Sequence, residues 1–335
     1  MRILVVGGTR FIGRHLTAVA LDRGHEVTVF HRGKTGADLF PQATHLLGDR
    51  DGDLSALASG RWDATIDTCA YVPRQVHRLA DVLADRGGRY VYISSLSVYA
   101  TPQPPRFTED AALIELPDPN VEAVTDETYG GLKVLCERAA TERFGAGVAV
   151  IRPTYVVGPY DYSGRFSWWL HRIAHGGEIL APAPTDAPFQ VIDVRDMATW
   201  IVEGIERGTG GIFHAVSPPP PFSFGDLLDQ IVAVAGPPGT TLTWVDRSFL
   251  LDAGENDVTL PMWPGGDPAG MFEAADPSRA EATGLAPRPL AQTIRETLEH
   301  ERAHPVPARP DVGLPSEREA ELLARWRARP AAAGP

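Results

Sequence analysis

Tyr129 and Lys133 stand four residues apart in a stretch whose spacing predicts a helix over 125–144, where Thr125 can cap the start. Residues four apart share a helical face. A tyrosine hydroxyl ordinarily titrates near ~10, so it is a poor base at neutral pH. A lysine one turn away favours the phenolate, and a positively charged nicotinamide ring would favour it further. Such a tyrosine can exchange a proton with a substrate hydroxyl while hydride moves at the same carbon. Lys133 would also hold the ribose of that cofactor. Gly130 and Gly131, between the two, would let a ligand approach the helix closely. A Tyr and a Lys at this spacing also recur as an ordinary amphipathic pair, so their weight depends on what accompanies them.

Two further groups accompany them. Ser94, Ser95 and Ser97 follow the apolar run 90–93, and a hydroxyl at the carboxyl end of a strand faces the crevice where open α/β sheets bind ligands. Ser95 is the choice for holding the reacting oxygen, with Ser94 beside the cofactor and Ser97 toward the substrate. The second group is Gly7, Thr9, Arg10, Phe11, Ile12 and Gly13, which joins a first strand to a helix. A pyrophosphate needs such a tight turn, close backbone approach and N–H groups at a helix start. Gly7 and Gly13 hold the outer positions of a Gly-x-x-Gly-x-x-Gly spacing, and Arg10 takes the middle one.

The end of the second strand bears on the cofactor. NAD sites usually place an acid there for the ribose 2′-hydroxyl. This chain has His31 and Arg32 instead. Arg32, with Arg10 across the loop, suits a 2′-phosphate, which favours NADP within an NAD(P) assignment. Asp49 and Arg50 follow the third strand and are expected near the adenine, a charged turn being the alternative. Cys69, Ala70 and Tyr71 follow the fourth and are expected along the cofactor's length.

The elements that position these groups alternate. Strands are expected at 3–6, 27–30, 45–47, 64–67, 90–93 and 148–152, with helices at 14–23 and 76–86 besides the long one. Short apolar strands alternating with amphipathic helices predict an α/β, doubly wound parallel sheet of the Rossmann type. Residues 1–155 form that domain, with strand-like returns to the sheet at 189–194 and 212–216. A smaller substrate lobe takes 156–188 and 217–303, rich in prolines at 218–221 and elsewhere, with helices at 165–175, 224–235 and 290–302. A tail follows over 304–335, with a helix at 317–327 and frayed last residues.

Composition agrees with a globular enzyme. The 335 residues are 43% hydrophobic and 22% charged. The net charge of −12 argues against nucleic acid as the main partner, since phosphate binding draws on surplus Lys and Arg. Two cysteines without metal spacing suit a reducing compartment. The first apolar run is too short for a signal segment or a membrane span, so the cytoplasm is the expected location. His171 and His175 lie four apart without the zinc-protease Glu, so no metal is expected.

Taken together, residues 7–13, residues 93–99, Tyr129 with Lys133, Arg152 with Pro153, Gly158 with Pro159 and residues 192–196 resemble the extended short-chain dehydrogenase/reductases, the NAD-dependent epimerase/dehydratase group. The resemblance runs from residue 1 to about residue 300. It implies a nicotinamide cofactor, substrates that are often nucleotide-linked sugars, and a homodimer. It also implies that Pro153 and the residues after it, Tyr155 included, border the nicotinamide. Arg10 stands where most members carry glycine. With residues 30–33 it resembles a bacterial branch related to chloroplast stem-loop RNA-binding proteins, which tend to lose the Tyr–Lys pair kept here. Leu96 and Ser97 replace the Asp-Glu pair of the sugar-nucleotide dehydratases.

The small-molecule substrate is expected near Ser97, Tyr99, Tyr160, Asp161, Arg165 and Trp168, where aromatic faces can stack and Arg165 can meet an anion. Two outcomes fit this reading: an oxidoreductase acting on a carbinol or ketone, or an epimerase working through a transient ketone. The alternative from another class is a non-catalytic, RNA-binding or redox-sensing Rossmann protein.

Overall fold

The computed structural model describes residues 1–217, 222–266, 274–305 and 309–329. The proline run at 218–221 and the chain end at 330–335 lie outside them. The chain forms two compact units. Unit 1 comprises Met1–Val156, Val191–Ser217 and Ala275–Pro287; unit 2 comprises Val157–Gln190, Pro218–Ala274 and Arg288–Pro335.

Unit 1 begins with β1 (Arg2–Val6), α1 (Phe11–Asp22), β2 (Glu26–His31), β3 (Thr44–Leu47) and β4 (Ala64–Asp67). It continues with α2 (Pro73–Leu83), β5 (Arg89–Ile93), α3 (Asp126–Phe144) and β6 (Ala149–Pro153). The strand Gly211–Ala215 completes a seven-stranded parallel sheet in the order Gly211–Ala215, β6, β5, β4, β1, β2, β3. This is a Rossmann-type α/β fold. The chain leaves β1 toward β2 and β3, then returns to pair β4 on the other side of β1. That reversal is the switch point at which open sheets form a ligand crevice. The register lines up the strand ends there, with Val6 opposite both Phe30 and Asp67, Asp67 opposite Tyr92, and Ile93 opposite Ile151.

Alternation along the strands builds two cores. Ile3 and Val5 join Leu16 and Ala20 of α1 and Ile201 and Ile205 of the helix Val194–Arg207. Leu4 and Val6 face the other way, toward Val76, Leu79 and Leu83 of α2 and Cys136 and Ala140 of α3. Both faces are therefore dry, as continuous apolar strands require.

One expectation changes. Residues 189–194 were expected to return to the main sheet, but the strand Val191–Asp193 lies outside it and bridges to Ser217. The helix Val194–Arg207 follows with no breaker between, capped by Asp193, whose carboxylate accepts from Arg195 N at 2.9 Å. Its helical period, Val194, Met197, Ala198, Ile201 and Ile205, is masked by the strand-like residues that precede it.

In unit 2 the helices Arg165–Ala174, Phe224–Ala235 and Leu290–Ala303 pack on one another, and the strands Glu178–Pro182 and Thr241–Val245 pair in parallel. Among the described residues no helix is long and apolar enough to cross a membrane.

Candidate active site

The glycine turn follows β1 directly. Gly7 has φ +88°, and a Cβ on it would stand 2.6 Å from Thr68 Oγ1. A Cβ on Gly13 would stand 2.1 Å from the Gly7 carbonyl oxygen. The start of α1 is thus pressed onto the turn, and its first residues have no side-chain cap. Thr17 fastens the two from behind, donating to Gly8 O at 3.0 Å and Gly13 O at 2.8 Å. A tight glycine turn leading into a helix start without a side-chain cap fits the needs of a dinucleotide pyrophosphate. Thr9 and Phe11 are buried, Ile12 is half-buried and Arg10 is exposed.

At the end of β2, Arg32 is exposed. His31, expected at the cofactor, is buried instead, with both ring nitrogens engaged. Nδ1 accepts from Gly33 N at 3.1 Å and Nε2 meets His45 Nδ1 at 2.9 Å. Burial, then His45, holds the His31 imidazole below its ordinary range. His31 therefore shapes the turn that carries Arg32.

Arg50 is also corrected. Its side chain runs inward as a two-pronged donor to Asp67, at 2.6 and 2.8 Å, and reaches Cys69 Sγ at 3.3 Å. Tyr90 completes the carboxylate's shell at 2.7 Å. A guanidinium in that position is not available to an adenine ring. Asp49 folds its carboxylate onto Asp51 N at 3.0 Å, as a turn residue does.

Two strand ends meet α3. Lys133 Nζ donates to Ala70 O at 3.1 Å and to Ile93 O at 2.6 Å, at the ends of β4 and β5. Its ammonium lies 4.3 Å from the Tyr92 ring centre and 5.5 Å from that of Tyr71. The Tyr71 ring in turn lies 6.4 Å from the ring of Tyr129. Tyr71, Tyr129 and Lys133 therefore form one cluster, with Tyr129 half-buried and Lys133 buried. Burial lowers the Lys133 ammonium to about 8. Cys69 is half-buried beside Gly7, and burial pushes its thiol up.

The serine turn is a single 3-10 turn, Leu96–Val98, led by Ser95. Ser95 is half-buried; its hydroxyl donates to Ser97 Oγ at 3.0 Å and accepts from Ser97 N at 3.1 Å. The α3 helix starts on a reciprocal cap, with Thr128 N donating to Thr125 Oγ1 and Thr125 N to Thr128 Oγ1. Gly130 and Gly131 serve packing rather than ligand approach. A Cβ on Gly130 would stand 2.0 Å from Ser97 O, and one on Gly131 2.4 Å from Leu116 Cγ. The missing side chains let α3 lie directly on the serine turn.

Ser94 and Tyr99 belong to the interior. Ser94 donates to Glu137 Oε1 at 2.5 Å. Tyr99 is fully buried between Phe107 and His214, and its hydroxyl contacts His214 Nε2 and Arg152 Nη1, each at 2.5 Å. Tyr99 is a core residue, not part of a substrate wall. Pro153 is buried at the end of β6, opposite Ala215, and Tyr155 beyond it is half-buried. Arg152 was named only as part of the Arg152–Pro153 motif, with no role, and Glu137 and His214 were not singled out. The only sequence sign was the continuation of the helical face from Tyr129 and Lys133 to Glu137.

In unit 2, the Tyr160 ring packs edge-on at 4.1 Å from the His300 ring, and Asp161 accepts from Ser163 N and Oγ at 2.8 and 2.9 Å. Arg165 is exposed. The half-buried Trp168 indole packs edge-on against Trp169 and against Gly313, whose Cβ would stand 1.9 Å from Nε1. Among the described residues no three His, Cys, Asp or Glu are grouped to hold a metal ion.

A Rossmann unit with a glycine turn on its first strand, a serine turn on its fifth and Tyr–Lys on the next helix defines the extended short-chain dehydrogenase/reductase class. The chain matches the NAD dependent epimerase/dehydratase family over residues 3–214, and it belongs to that family. It is 30% identical over 231 residues to the chloroplast stem-loop binding protein of 41 kDa b from Arabidopsis thaliana, a match covering 64% of this chain and 58% of that protein. The fold is shared with the Bordetella bronchiseptica enzyme WbmH solved with NAD+, at TM-score 0.68 and 18% identity over 91% of this chain and 99% of that one. It is shared also with the UDP-glucuronic acid 4-epimerase of Bacillus cereus solved with NAD, at TM-score 0.66 and 15% identity over 90% and 99%.

Proposed function

We infer that this protein is an NAD(P)-dependent oxidoreductase or epimerase acting on a carbinol or ketone carbon of a small substrate. The observation that carries the reading is the Tyr71–Tyr129–Lys133 cluster at the strand ends, in the same unit as the glycine turn. When bound, the nicotinamide supplies the hydride donor or acceptor. The chain's residues do the rest. The turn at 7–13 and the start of α1 bind the pyrophosphate, Ser95 holds the reacting oxygen, and Tyr129 gives or takes its proton. Lys133 keeps a positive charge beside the phenol and reaches the ribose. Nucleotide-linked sugars are the substrate class that fits the family.

The test is incubation with UDP-glucuronic acid and with other UDP-sugars, with each cofactor added in turn. A net change in reduced nicotinamide marks a dehydrogenase or reductase; product without net change marks an epimerase. No hydride transfer to or from any carbonyl or carbinol in the panel counts against the reading. The RNA-binding alternative draws on the name of the Arabidopsis relative, and the net charge of −12 opposes it.

Arg32 gives the NADP preference a direct check. Arg32→Ala is expected to weaken NADPH binding by about 10- to 100-fold, the worth of charge-assisted hydrogen bonds, and to leave NADH binding unchanged. Equal losses for both cofactors in a fluorescence titration would remove Arg32 from 2′-phosphate recognition.

The lowered Lys133 ammonium predicts an alkaline limit. The mechanism needs the charged form, and that form is lost as pH rises through about 8. Turnover is therefore expected to fall on that side of the pH profile, where an ordinary lysine would hold its charge to about 10. A profile flat to the ordinary lysine range would contradict the role.

A further inference from the structure

Two buried carboxylates act on the Lys133 charge, Asp67 at the end of β4 and Glu137 one turn further along α3. Arg50 and Cys136 complete the titratable surroundings, with the Tyr71 and Tyr92 rings over the ammonium. Yet Lys133 donates to two backbone carbonyls and not to either acid. The reason is that each acid already has its own guanidinium. Asp67 is held by Arg50, as described. Glu137 is held by Arg152, whose Nε donates to Oε1 at 3.0 Å and Nη2 to Oε2 at 2.6 Å. The remaining Nη1 of Arg152 donates to Tyr99 Oη at 2.5 Å and Glu109 O at 2.9 Å. Tyr99 passes its proton toward His214 Nε2, because His214 Nδ1 faces the Asp276 carbonyl at 3.0 Å. The arrangement is dry, with Arg152 1% and Glu137 6% exposed.

We propose that Arg152 is a positioning residue that keeps the Glu137 carboxylate from capturing Lys133, so that the ammonium stays at the ends of β4 and β5 beside Tyr129. The proposal rests on the Tyr129–Lys133 reading above. A buried carboxylate stripped of its partner is strongly unfavourable. Lys133, four residues back on the same helical face and already acted on by the Glu137 charge, is the cation it would draw. Capture would draw the ammonium off Ile93 O and away from the phenol it serves. Arg152 touches none of the reacting groups; it acts only through Glu137.

The test reads Tyr129 itself, in protein without cofactor. The phenolate is titrated by ultraviolet difference absorbance, each form being compared with the same form carrying Tyr129→Phe. In the wild type Tyr129 is expected to titrate well below the ordinary ~10, in the range where Lys133 still carries its charge. Arg152→Met is expected to raise that midpoint by about one pH unit or more. Adding Glu137→Gln, which removes the competing charge and keeps an acceptor for Ser94, is expected to bring it back. An unmoved midpoint in Arg152→Met overturns the proposal. So does a double variant as displaced as the single one, which would mean that Arg152 is only a strut. Arg152→Lys covers the case in which the Met variant does not fold: it keeps a cation on Glu137 without the fork, and its midpoint should stay with the wild type. A displaced midpoint there also overturns the proposal. A wild-type Tyr129 that titrates at the ordinary value defeats the Tyr129–Lys133 reading itself, a result separable from any effect of Arg152.

Discussion

Replacing Tyr129 with Phe is expected to lower turnover by about 10²- to 10⁴-fold, the usual worth of a positioned acid–base group, with cofactor affinity unchanged. The substitution removes one hydroxyl and keeps the ring that packs 6.4 Å from Tyr71. The backbone of the glycine turn is unaltered, so cofactor affinity is expected to hold. Lys133→Ala separates the two roles of the pair. It removes the charge beside the phenol and also the donor that bridges Ala70 O and Ile93 O, leaving Ala70 O to the Tyr92 hydroxyl. It is therefore expected to lower turnover and to weaken cofactor binding together. Stopped-flow hydride transfer and fluorescence titration of NADPH measure the two effects. Full turnover in Tyr129→Phe would dismiss the proton-exchange role.

The second large effect is expected from Gly130→Ala. Helix propensity alone favours the change by ~1 kcal/mol. The added Cβ, however, would stand 2.0 Å from Ser97 O and 2.9 Å from Ile114 Cδ1. The first neighbour is backbone and cannot rotate away, so α3 or the serine turn must shift. Overpacking of this kind costs ~1–3 kcal/mol, which outweighs the propensity gain. The functional cost is larger, because Ser95 sits on one side of that contact and Tyr129 on the other. A displacement of ~1 Å between reacting groups costs on the order of 10²-fold in rate. Gly131→Ala is the control: the three atoms nearest its Cβ all belong to the Leu116 side chain, which can rearrange. Loss of turnover in Gly130→Ala, without loss of cofactor affinity and with a mild Gly131→Ala, is the expected pattern. Equal activity in the two variants would contradict it.

The parts of the fold that were legible in the sequence are those set by neighbours along the chain. The runs at 3–6, 27–30 and 64–67 are short and rich in β-branched and apolar residues, and they are strands. Thr125 marks the start of α3 through a local side-chain bond. The glycine turn and the helix after it form one contiguous unit. What was not legible depends on residues far apart in sequence. Arg50 finds Asp67 17 residues away, and Tyr99 finds His214 115 residues away. No periodicity announces such partners, so Arg50 reads as a neighbour of the adenine and Tyr99 as a pocket wall. The glycines of α3 misled for a related reason. Their sequence says that space is available, but not whether a ligand or the chain itself fills it. The helix Val194–Arg207 had a readable period and was hidden by the strand-like residues before it.

Unit 1 is discontinuous, and that has a consequence for the order in which it can be made. The glycine turn and the first six strands emerge from the ribosome early. The chain then produces Val157–Gln190 before the strand Gly211–Ala215, and Pro218–Ala274 before the final piece Ala275–Pro287. Domains tend to fold as units during synthesis. Here the Phe107 bridge to Ala275, the Asp276 carbonyl for His214 and the Arg279 guanidinium near Glu109 all arrive with that last piece. The polar interior around Arg152 therefore stays open through most of translation and is sealed only when residues 275–279 dock.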